Sequence, residues 1–103
     1  MPIIMHATMP IKPEARDGFL AAVPGLIAAS NAEEGVISYD LYELASTPNT
    51  FVMLEVYADK AGMDAHLGSP HFQAAMPLLG QVLAGAPTLT YYEAGDAQTL
   101  KLG

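Results

Sequence analysis

The chain has 103 residues, 51% apolar and 15% charged, with 11 acidic side chains against 4 basic ones and a formal charge of −7. That length supports one core and excludes a second domain. Lys12, Arg16, Lys60 and Lys101 are too scattered to form a stripe for phosphates or anionic lipid, and the absence of cysteine excludes disulfides, thiolate metal sites and a cysteine nucleophile.

Residues 3–9, IIMHATM, lie between Pro2 and Pro10. This short apolar run predicts a strand with His6 on one face and Met5 and Ala7 on the other. A helix follows, with Phe19, Leu20, Val23, Leu26, Ile27 and Ser30 recurring at spacings of three and four. Pro13 suits its first turn, and Glu14 and Asp17 complement the helix dipole. Pro24-Gly25 interrupts the helix, but the apolar period stays in phase across it, so a kink is expected rather than a break.

Two strands, Val36–Leu44 and Thr50–Tyr57, flank a connection carrying Thr47, Pro48 and Asn49, the pattern of a hairpin. Strict alternation in the first puts Ile37, Tyr39, Leu41 and Glu43 on one face and Val36, Ser38, Asp40, Tyr42 and Leu44 on the other. The second alternates Phe51, Met53, Glu55 and Tyr57 against Val52, Leu54 and Val56, so both its faces call for cover. Asp59 caps a short helix ending near Leu67, and Ser69-Pro70 caps another. Phe72, Ala75, Met76, Leu79 and Leu83 carry the second helix's apolar stripe, with Pro77 expected to bend it. A turn over 84–87 precedes a last strand, Thr88–Glu93, and residues 94–103 form a polar tail.

The order β-α-β-β-α-β predicts a single α+β domain over 1–103. Its fold class is the ferredoxin-like split βαβ, an antiparallel sheet with helices on one face. So apolar a chain cannot hide all its apolar surface alone, and the bare sheet face predicts a homodimer. No basic leader and no apolar run of membrane-spanning length are present, so a cytoplasmic protein is expected.

Most side chains able to do chemistry lie between residues 34 and 72. His71 falls in the first turn of a helix, whose positive end favours a neutral imidazole able to accept a proton; the bland alternative is an exposed helix-start residue. Glu55, mid-strand among apolar neighbours, must pair or carry a raised pKa, and His66 is its expected partner. Tyr39 and Tyr57 offer ring surface with a polar tip, and Met53, Met63 and Met76 are apolar filler by default. His6, His66, His71 and Glu55 contain a two-His, one-carboxylate set of the type that suits iron, but the spacing gives no metal signature and none is expected. No glycine-rich phosphate loop, nucleophile elbow or dinucleotide fingerprint is present.

The stretches E-G-x-x-x-Y-x-L at Glu34–Leu41, F-x-x-x-E-x-Y at Phe51–Tyr57 and A-H-L-x-S-P-H-F at Ala65–Phe72 resemble the antibiotic biosynthesis monooxygenase domain. The Val-Pro inside the first helix is similar to that of its small quinol monooxygenases, and the likeness covers about residues 3–94. The resemblance implies a dimeric α+β barrel that oxidises phenolic or quinol-like aromatics with molecular oxygen, without metal or flavin. It places His71, His66 and Glu55 in catalytic roles and Tyr39, Tyr57, Met53, Met63, Phe72 and Met76 around the substrate. The haem-degrading relatives' Asn, Trp and haem-ligating His are not matched, since His6 or Ala7, His66 and Met76 stand there. Two other readings of the same pocket are an isomerase or other proton-shuttling enzyme using His71 and Glu55, and a dimeric small-molecule-binding or stress protein without turnover.

Overall fold

The computed structural model describes all 103 residues. Strands β1 (Ile3–Pro10), β2 (Val36–Glu43), β3 (Thr50–Tyr57) and β4 (Thr88–Glu93) form one antiparallel sheet in the order β2-β3-β1-β4. Helices α1 (Arg16–Asn31), α2 (Lys60–Leu67) and α3 (Pro70–Val82) complete the split βαβ arrangement that the element order predicts. No helix is long and apolar enough to cross a membrane.

Alternation along β1 and β3 builds the core. Ile3, Met5, Ala7 and Met9 face Phe51, Met53 and Tyr57 under α1, which contributes Phe19 and Val23. Pro13 begins a 3-10 turn, Pro13–Ala15, that runs into α1. Pro24 lies inside a helix of 16 residues that does not end there, as the in-phase apolar period requires. Asp59 accepts from the Gly62 amide and Ser69 from the Phe72 amide, so both expected caps are formed, with Pro70 opening α3. The β2–β3 turn closes on Asn49, at φ 64°, and Arg16 reaches both its side chain and Glu43.

One expected face assignment is wrong. A bulge between Val36 and Ser38 shifts the register, so Val36 and Tyr39 are both buried on the helix side although strict alternation separates them. The extra residue falls at Ile37, so Tyr39 keeps the face it shares with Leu41 and Glu43, and Val36 joins it there.

Two glycines set how closely α2 docks. A β-carbon on Gly35 would stand 2.6 Å from the Gly62 Cα, so the start of β2 and the first turn of α2 touch backbone to backbone. The far side of the sheet has no helix on it. Its central positions are Ile4, Val52, Leu54 and Val56, with Ile4 37% and Leu54 38% exposed.

Candidate active site

Between the sheet and helices α1 and α3 lies a cavity of about 350 Å³, and 17 of its 21 lining residues are hydrophobic. Helix α3 explains the space. Its apolar stripe meets no filled core, and none of its residues is fully buried. Phe72, Met76 and Leu79 instead wall the cavity, opposite Met5 and Met53 from the sheet and Phe19 from α1.

Glu55 is the acid on that wall, pointing inward with Met53 on the same face of β3. It is 5% exposed and accepts a hydrogen bond from the Tyr57 hydroxyl. Burial pushes its pKa up to about 7, against the opposing effect of that bond. Tyr39, opposite Glu55 on β2, also lines the cavity, and burial followed by the charge of Glu55 raises its pKa. Burial, then the bond to Glu55, raises that of Tyr57.

The expected partnership of Glu55 with His66 does not form. His66 Nδ1 lies 2.7 Å from Glu33 Oε2, and His71 Nε2 lies 2.7 Å from the same oxygen. Strand β3 aims Glu55 at Tyr57 two residues on, whereas α2 aims His66 at the loop after α1. Burial raises the pKa of Glu33, but the hydrogen bonds from His66 and His71 outweigh it and hold the carboxyl below its usual value. His66 is fully buried, with ring centroids 4.9 Å from Tyr39, 5.1 Å from Phe72 and 5.7 Å from Tyr57.

Of the residues singled out from sequence, Tyr39, Met53, Glu55, Phe72 and Met76 meet at the cavity. Tyr57 stands behind Glu55 with no exposure, Met63 is packed in the core, and His66 and His71 join Glu33 beside the cavity rather than lining it. His6 projects from the other face of the sheet, 5.9 Å from Tyr92, so the set of His6, His66, His71 and Glu55 cannot share an ion. Glu33 was not foreseen. It sits in a loop where no periodicity operates, and the adjacent Glu34, read as part of the E-G stretch, is exposed.

Glu33, His66 and His71 present donor atoms within 4.8 Å of one another, a ligand set that could hold a divalent transition ion. Metal at His66 Nδ1 would place the ring proton on Nε2, which is buried without a partner. Ligating imidazoles almost always give that second N–H to an acceptor. The cluster therefore fits a hydrogen-bonded carboxylate better than a metal.

The profile of the family described as Antibiotic biosynthesis monooxygenase matches residues 2–78. The chain is 42% identical over 85 residues to "Putative monooxygenase YcnE" of Bacillus subtilis, spanning 82% of this chain and 88% of that one. It is 33% identical over 89 residues to a similarly named protein, Rv0793 of Mycobacterium tuberculosis, spanning 86% and 87%. The solved structure of Rv0793 superposes with a TM-score of 0.88 at 30% identity, covering 96% of this chain and 100% of that one. A conserved protein from Methanosarcina mazei Go1 gives a TM-score of 0.88 at 30% identity over 92% and 94%. The chain belongs to the antibiotic biosynthesis monooxygenase family.

Proposed function

We propose that the protein is a cofactor-independent monooxygenase that oxidises a small aromatic, quinol-like substrate with molecular oxygen and works as a homodimer. The observation that carries the reading is Glu55, a carboxyl with its pKa near 7 on the wall of an otherwise apolar cavity. Such a group is matched to taking a proton from a phenolic hydroxyl at neutral pH. The resulting oxyanion is electron-rich enough to reduce triplet oxygen by one electron. Recombination of the two radicals forms a carbon–oxygen bond, and O–O cleavage releases water. For a phenol going to a quinone the substrate supplies all four electrons, so the step needs no outside reductant. The apolar walls keep water from the intermediates. The chain's acidity and the lack of any base among the lining residues argue against a phosphorylated substrate.

Oxygen uptake with a hydroquinone or naphthol, with ¹⁸O₂ label in the product, tests the proposal. Uptake should rise with pH through about 7, as Glu55 ionises. No uptake, or label absent from product, would sink it. Deuterium exchange into a carbonyl ligand without oxygen consumption would transfer the same carboxyl to isomerase chemistry.

The homodimer is supported by the bare sheet face, where no helix lies over Ile4, Val52, Leu54 and Val56 and where Ile4 and Leu54 are exposed. Sedimentation should give twice the chain mass; a stable monomer would remove this part of the reading.

A further inference from the structure

We propose that Glu33 is a positioning residue that fixes His66 as the Nδ1–H tautomer, leaving Nε2 as a lone pair for a ligand hydroxyl at the Tyr39 end of the cavity. Its part in turnover rests on the reaction proposed above; the tautomer does not.

The hydrogen bonds around Glu33 dictate the tautomer. An ionised carboxylate has no proton to give, so both nitrogens 2.7 Å from Glu33 Oε2 must be donors. In neutral His66 the remaining nitrogen then carries the lone pair. The two nitrogens of an imidazole point to nearly opposite sides, which directs Nε2 away from Glu33 and into the rings around it. Two of those rings, Tyr39 and Phe72, wall the cavity.

His66 Nε2 is buried without a hydrogen-bond partner. Leaving such an atom unmet is costly, and native structures rarely tolerate it without use. Ser30 Oγ, also buried, has the Tyr39 hydroxyl beside it as a partner, so His66 Nε2 stands alone in this respect. An unmet ring nitrogen beside the cavity-lining tyrosine points to a hydroxyl that arrives with the ligand. A quinol has two hydroxyls: Glu55 takes the proton of one and Nε2 that of the other, the second transfer breaking that O–H and forming Nε2–H. The product is an oxyanion beside an imidazolium that the Glu33 carboxylate stabilises.

This arrangement also gives His71 a purpose away from the cavity. Its Nε2–H holds the carboxylate from the solvent side, where His71 is 27% exposed, while His66 holds it from within. The logic is that of a carboxylate orienting a histidine base.

Two-bond ¹H–¹⁵N correlations of the three histidines decide the tautomer in the unmodified protein, with His66→Asn assigning the signals. At mildly alkaline pH, His66 should show a protonated Nδ1 and a bare Nε2. An Nε2–H tautomer would overturn the proposal. Titration with 2-naphthol, followed also through the methyls of Met53 and Met76, should move the Nε2 resonance upfield together with those methyls. Methyls that move while Nε2 stays fixed would overturn the acceptor role. Methyls that do not move would count against the cavity as a phenol site while leaving the tautomer decided by the first measurement. Glu33→Gln should erode the tautomer preference and lower kcat about tenfold with KM nearly unchanged. A loss confined to KM would overturn the positioning role.

Discussion

Glu43 on β2 and Glu55 on β3 sit at opposite ends of one hairpin, and their surroundings drive them apart. Glu43 meets the Arg16 guanidinium through two bonds, at 2.5 and 2.7 Å, and accepts from the Asn49 amide. The bond from Arg16, then that from Asn49, hold its pKa down to about 2. Glu55 has only a neutral phenol beside it and is pushed up to about 7 by burial. The sequence shows two glutamates in strands. What separates them is whether a cation reaches the carboxylate and whether water does, and in this chain only the dry end is equipped for proton transfer.

Removing the dry carboxylate should have the largest effect. Glu55→Gln is expected to cut oxygen uptake at least about a hundredfold. The same variant should change how stability depends on pH. The folded pKa of Glu55 lies above its ordinary 4.5, so folding is unpenalised below 4.5, and the cost grows as pH rises and is complete above about 7. That cost is on the order of 3 kcal/mol. Urea midpoints of the native chain should therefore fall between mildly acidic and neutral pH, and those of Glu55→Gln should fall less. Equal slopes would break the contrast between the carboxylates.

The next effect concerns Leu54, which points out of the sheet as Glu55 points in. Leu54→Arg should weaken self-association on the order of tenfold or more, read by sedimentation across a dilution series. Unchanged association would place any partner elsewhere. Tyr57→Phe is a smaller perturbation. It removes the bond that holds Glu55 down, so the rising limb of the uptake–pH profile should move to higher pH; a downward move would mean that Tyr57 does not act through Glu55. Arg16→Ala should matter least. The pair with Glu43 is about one-third exposed, so stability should dip slightly, more at low salt than at high. The contribution from the lowered pKa of Glu43 is present above 4.5 and lost as pH falls toward 2. A large loss of activity in this variant would mean that the wet end takes part after all.

The hairpin, the caps at Asp59 and Ser69 and the in-phase helix across Pro24 follow from local patterns, and the structure forms all of them. The raised pKa of Glu55 was legible because an acid among Met53, Leu54 and Val56 has nowhere wet to go. Its partner was not, because register and the direction of a helix decide which side chains meet. That Val36 shares the inner face with Tyr39 depends on one bulge that alternation does not encode. Glu33 lay beyond reach for a related reason: it gains its environment from α2 and α3, 33 and 38 residues away.

The glycine seam carries a consequence for how the site tolerates change. Gly35 lies two positions past Glu33, and Gly62 lies one helical turn before His66, so the bare backbone contact between them fixes the spacing of that carboxylate and imidazole. A single methyl group at either glycine would act as a wedge, prying the loop that carries Glu33 from the helix that faces it. The damage would surface several residues away, in a pair of side chains that the substitution itself never touches.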